Sequence, residues 1–151
     1  MGKTADKKNN IYRLSENDYG GNSSSILLAE DDEEMRVLLA MKLRKEGYRV
    51  FECTNGLSLL DMLSPYFLPD EEHENFDLII SDVRMPGITG MEILMGADEL
   101  GDFPPIILIT AFGDKDIHMQ AERLGAAALL DKPFDIDEML IKVAAILPPS
   151  A

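Results

Sequence analysis

From Ile26 onward the chain repeats one figure: a short unbroken apolar run, a polar break, then a stretch whose apolar residues recur at helical spacing. Ile26-Leu27-Leu28-Ala29 is the first run, and its lack of alternation is what a strand covered on both faces of a parallel sheet requires. Glu33 to Glu46 has Met35, Leu38 and Leu39 on one helical face, with Gly47 as its stop. Arg49–Thr54 forms the second strand, and Asn55-Gly56 turns the chain into a helix through Leu57, Leu60 and Leu63. Leu78–Ser81 and Ile106–Thr110 are the third and fourth strands, separated by a helix over Met91–Leu100. Asp114–Leu124 places Ile117, Ala121 and Leu124 inward. Ala127–Leu130 is the fifth strand, and Asp135–Leu147 closes the series with a stripe of Ile136, Met139, Leu140, Val143, Ile146 and Leu147. Strands alternating with helices predict right-handed βαβ crossovers. The fold class is therefore α/β, a doubly wound five-stranded parallel sheet.

Before Ile26 the pattern is absent. Residues 1–25 are rich in Asn, Ser, Gly and Lys and read as a flexible polar N-terminal arm with four basic and three acidic residues. The net charge of −14 over 151 residues thus belongs to the rest of the chain. Such acidity argues against a nucleic-acid or anionic-membrane surface, because phosphates are repelled. The single Cys53 excludes an internal disulfide framework and a Cys-based zinc site, and it fits a reducing compartment. With neither an apolar run long enough to span a membrane nor an apolar segment near the N-terminus, the expected location is cytoplasmic.

Doubly wound sheets bind ligands beyond the C-terminal ends of their strands. There the sequence places Glu30-Asp31-Asp32, Ser81-Asp82, Thr110-Ala111 and Asp131-Lys132-Pro133. Crowded carboxylates repel one another unless a cation is present, and hard oxygen donors without His or Cys suit Mg²⁺. Any single Asp of this set, taken alone, is better explained as a helix cap, Asp32 above all. Together, a carboxylate beside a cation, a hydroxyl and a lysine are the parts needed to accept a phosphoryl group. Asp82 is the expected nucleophile, on a central strand before the turn Met85-Pro86-Gly87.

The segments LLAEDDEEMR, LIISDVRMPGITGMEIL, IILITAFG and LGAAALLDKPFDIDEM, in this order, resemble the receiver domain of two-component response regulators. Their wording is nearest to single-domain receivers of sporulation phosphorelays and to receivers of nitrogen-regulator-type activators. The resemblance implies a flavodoxin-like (βα)5 fold over 26–148, with 149–151 as a tail. It implies that Asp82 is the phosphoacceptor, and that Asp31, Asp82, the backbone carbonyl of Arg84 and Glu30, commonly through a water, hold Mg²⁺. It makes Thr110 the switch hydroxyl and Lys132 the ion-pair partner of the phosphoryl group, with a cis Lys132-Pro133 bond. The implied partners are a sensor histidine kinase or histidine phosphotransfer protein upstream and an output protein, or an effector domain outside this chain, downstream. Many members dimerise on activation through the last two helices and last strand. The function implied is a phosphorylation-dependent signalling switch, not a turnover enzyme.

Some positions depart from that pattern. Leu129 stands where the family generally has Tyr or Phe, which puts the aromatic readout in doubt. Residues 64–75 form an extended acidic loop, read as a solvated insertion whose Tyr66-Phe67-Leu68 cluster packs on the domain or meets a partner. Arg84 and Phe112 are expected to shield an acyl phosphate from water. Met35, Met41, Met62, Met119 and Met139 read as packing residues, and His73 and His118 receive no role. The alternative function is a constitutive interaction module that keeps the fold without being phosphorylated. An aspartyl-phosphate hydrolase needs a second carboxylate at position 84, where Arg stands, and no Gly-rich phosphate loop follows the first strand.

Overall fold

In a computed structural model, which describes residues 23–68, 75–111 and 115–148, the five apolar runs form one parallel sheet in the order β2-β1-β3-β4-β5. The strands are β1 (Ser25–Ala29), β2 (Arg49–Cys53), β3 (Leu78–Asp82), β4 (Ile106–Thr110) and β5 (Ala128–Asp131). Between and after them run α1 (Glu33–Lys45), α2 (Gly56–Leu63), α3 (Gly90–Leu100), α4 (Lys115–Arg123) and α5 (Ile136–Ile146). β1, β3 and β4 are buried throughout, as their unbroken apolar runs require.

Side chains alternate across the sheet and feed two cores. Ile26, Leu28, Ile80, Ile107 and Ile109 face α1 and α5 through Leu39, Leu43, Met139 and Val143. Leu27, Ala29, Ile79 and Leu108 face the other layer through Leu59, Leu63, Ile93, Leu94 and Ala121. The helices begin where the sequence provides caps. Asp32 Oδ1 accepts from the Met35 amide, Asn55 accepts from Ser58, and Thr89 with Glu92 makes a reciprocal capping box at α3.

The structure differs from the sequence reading in places. β1 starts at Ser25, the last residue assigned to the arm, because Ser25 pairs in register with Arg49 of β2 and its carbonyl accepts the Asp77 amide at 2.8 Å. α2 buries Gly56, Leu59 and Leu63 rather than Leu57 and Leu60, which are exposed. Within the supposed loop, Ser64–Phe67 makes one 3-10 turn with Pro65 in its first positions. Its Tyr66 and Phe67 rings lie 5.2 and 5.9 Å from that of Phe103, and Tyr66 Oη accepts the Phe76 amide, so this part of the insertion packs on the domain. The arm over 1–22, His73, Phe112 and the tail 149–151 lie outside the described residues.

Candidate functional site

The strand order reverses between β1 and β3, and both end at the same level, with Ala29 paired to Ser81. This is the switch point at which doubly wound sheets open a crevice. β4 and β5 end beside it: Asp82 is in register with Ile109, and Thr110 with Asp131. Continuous ladders therefore deliver Glu30, Asp82, Thr110 and Lys132 to one rim. The Lys132 amide extends the ladder, donating to the Thr110 carbonyl at 2.7 Å.

Glu30, Asp31 and Asp82 each bring a carboxylate oxygen within 4.8 Å of the others. Glu30 is fully buried, Asp82 is nearly so, and Asp31 faces solvent. The Asp82 carboxylate is held from two sides, Oδ1 by the Arg84 amide at 3.0 Å and Oδ2 by Lys132 Nζ at 2.6 Å. Glu30 Oε2 accepts the Asp32 amide at 3.1 Å, while Oε1 stands 2.9 Å from Lys132 Nζ. That approach makes Lys132 an ion-pair partner of Glu30 as well as of Asp82. The Lys132-Pro133 bond is cis.

Burial pushes the Glu30 carboxyl up to about 7, against the Asp32 amide and Lys132, which favour its charged form. Burial acts on Lys132 in the lowering direction. The hydrogen bonds and negative charges of Asp82 and Glu30 outweigh it and hold the ammonium above its ordinary range. One cation thus serves two carboxylates at this rim, with a third alongside. The donor set is all oxygen, and a single ammonium faces three clustered carboxylates. Both features fit a hard divalent cation shared among Glu30, Asp31 and Asp82.

The other residues singled out by sequence lie around this cluster. Thr110 is buried at the end of β4, and Arg84 is exposed just past Asp82, meeting it through its amide. Asp32 turns away to cap α1. Leu129 pairs with Leu108 and packs against the core shared with α2, α3 and α4. His118, given no role by sequence, has Nε2 2.9 Å from Asp131 Oδ1, linking α4 to the end of β5. Nothing in the local pattern signals that pair, because its partners belong to different elements.

The family model for the response regulator receiver domain matches residues 26–144. Sporulation initiation phosphotransferase F of Bacillus subtilis is 35% identical over 126 residues, covering 83% of this chain and 95% of that protein. The response regulator receiver protein CpdR of Brucella abortus is 32% identical over 122 residues, covering 81% and 95%. The transcriptional regulatory protein FixJ of Azorhizobium caulinodans is 34% identical over 129 residues, but the match spans 57% of its length, against 85% of this chain. Among solved structures, the chemotaxis protein CheY4 of Vibrio cholerae superposes with a TM-score of 0.69 at 26% identity, covering 83% of this chain and 99% of that one. No helix among the described residues is long and apolar enough to cross a membrane. With the receiver model covering most of its length and the acidic rim at the expected strand ends, the chain belongs to the response regulator receiver domain family.

Proposed function

We propose that this receiver is a switch in a two-component or phosphorelay pathway, and that Asp82 accepts a phosphoryl group from a phosphohistidine on a partner kinase or phosphotransfer protein. The observation that carries the reading is the placement of Asp82, whose carboxylate shares one cluster with Glu30 and Asp31 while Lys132 Nζ lies 2.6 Å from its Oδ2. In the reaction, a carboxylate oxygen of Asp82 attacks phosphorus in line. The new O–P bond forms as the N–P bond to the donor imidazole breaks, and the departing ring takes up a proton. Glu30, Asp31, Asp82 and the Arg84 carbonyl would hold Mg²⁺, which supplies charge neutralisation on the transferred phosphoryl oxygens. Lys132 is already positioned to pair with an anionic oxygen, and the Thr110 hydroxyl ends the neighbouring strand, where it can follow the new group. Arg84, exposed next to the acceptor, would screen the acyl phosphate from water.

The test is incubation with acetyl phosphate, with and without Mg²⁺, followed by intact mass of the wild type and Asp82→Asn. A Mg²⁺-dependent gain of one phosphoryl group, about 80 Da, absent in the variant, supports the switch. No adduct, together with no beryllofluoride complex, would instead favour a constitutive interaction module, with Leu129 and the segment around Tyr66 as the next residues to vary.

A further inference from the structure

Glu52, on edge strand β2, is a buried carboxylate bound by two arginines of α1: Arg36 Nε donates to Oε1 at 3.2 Å and Arg44 Nη1 to Oε2 at 3.0 Å. Such a cluster is a poor source of stability, since apolar side chains of similar volume fill the same space without desolvating charges. The two arginines differ in their remaining contacts. Arg44 Nη2 donates to the Val50 carbonyl at 2.7 Å, within β2 itself. Arg36 Nη1 instead donates to the Glu30 carbonyl at 3.2 Å. That carbonyl belongs to the peptide joining Glu30 to Asp31, the two acids contributed by the β1–α1 turn.

We propose that Arg36, anchored by Glu52, is a positioning residue for the cation site, fixing the Glu30–Asp31 peptide so that both carboxylates face Asp82. This rests on the cation-dependent reading given above. The sheet releases the chain at this point: the last ladder bond from β1 is the Glu30 amide to the Cys53 carbonyl at 3.1 Å. Past it, Asp32 is committed to capping α1, and its amide to Glu30 Oε2. The peptide between is free to rotate about its flanking dihedrals unless its carbonyl is held, and such rotation swings the exposed Asp31 side chain away from the buried pair. Arg36 holds that carbonyl, and the fork geometry of its guanidinium lets one side chain bind Glu52 and the carbonyl together. Outer groups that orient metal ligands in this way control affinity without touching the metal.

Arg44 provides the matched control, because it shares Glu52 while its Nη2 is bonded to the Val50 carbonyl within β2. The experiment is calorimetric titration of Mg²⁺ into the full chain as wild type, Arg36→Met, Arg36→Lys and Arg44→Met, with urea unfolding of each. Both methionine variants are expected to lose comparable stability. Arg36→Met should weaken Mg²⁺ by about tenfold, the lower end of what such outer groups contribute, whereas Arg44→Met stays within about twofold, the scatter expected of a purely structural change. Arg36→Lys, which keeps the charge for Glu52 but not the fork, should fall between; it carries the comparison with Arg44→Met alone if Arg36→Met does not fold. Equal Mg²⁺ affinity in Arg36 and Arg44 variants would overturn the inference while leaving the site intact. Absence of Mg²⁺ binding by the wild type would overturn the site reading itself, and this inference with it.

Discussion

Lys132 Nζ bonds Asp82 Oδ2 at 2.6 Å and stands 2.9 Å from Glu30 Oε1, so one ammonium neutralises two carboxylates that reach the rim from different strands. Lys132→Met leaves those acids facing each other. It is expected to destabilise the metal-free fold by about 2 kcal/mol, below the cost of breaking a fully buried pair because 24% of the lysine side chain remains exposed. Mg²⁺ should then raise the melting temperature of Lys132→Met more than that of the wild type, since the added cation replaces the missing one. Equal shifts by calorimetry would show that Lys132 does not set the charge balance of the site.

Glu30 gives the metal-free protein a pH dependence of unusual sign for a carboxylate. Its folded pKa of about 7 lies above its ordinary 4.5, so between those values the folded state binds more protons than the unfolded chain. Its contribution is therefore most favourable below 4.5 and is lost as pH rises through about 7. Relative to Glu30→Gln, which carries no titrating group, the wild type should lose stability between pH 5 and 8, by at most about 3 kcal/mol. Urea unfolding across that window, with a constant difference between the two proteins, would place the Glu30 pKa at its ordinary value.

The link from His118 to Asp131 spans 2.9 Å, but both side chains are about two-fifths exposed. Exposed pairs of this kind contribute little, so His118→Ala should cost no more than ~1 kcal/mol. Uptake of phosphoryl by Asp82, read by intact mass, should be unchanged. A larger loss of stability, or slower uptake, would mean that α4 is coupled to the rim more tightly than the exposed pair implies.

The sheet and the acidic rim were legible because both are written locally. A strand buried on two faces must be an apolar run, and the residue following it must lie at the strand end. Rotation of a helix about its axis is written less clearly. α2 carries Leu57, Leu59, Leu60 and Leu63, which supply two apolar faces, and the sequence reading ran the helix through Leu57, Leu60 and Leu63, of which Leu63 alone is buried. The structure buries Leu59 and Leu63 because Gly56 turns toward the backbone around Ile88. Likewise Met35 and Met62 pack against the cores and Met139 is buried, but Met41 and Met119 are more than half exposed, each lying on the outer side of its helix. Arg36 was invisible for a different reason. Its partners, Glu52 on β2 and the Glu30 carbonyl just past β1, come together only once the sheet is assembled.

That close approach at Gly56 sets up the most demanding substitution. A Cβ at this position would lie 2.2 Å from the Ile88 carbonyl oxygen and 2.5 Å from its nitrogen, and backbone atoms cannot swing aside as a side chain does. The Gly56 amide also donates to the Pro86 carbonyl at 2.9 Å, tying α2 to the turn that follows Asp82. Gly56→Ala must push this turn away, and with it the Arg84 amide that holds Asp82 Oδ1. The expected cost is about 3 kcal/mol, the upper part of the range for overpacking, with slower phosphoryl uptake from acetyl phosphate. Gly47→Ala is the comparison: its φ of 97° strains an alanine, but nothing lies within 4 Å of the added carbon. That strain should cost only about 1 kcal/mol and leave uptake at the wild-type rate. Should both variants lose stability equally and take up phosphoryl alike, the packing of α2 against the Met85–Ile88 turn does not position the acceptor.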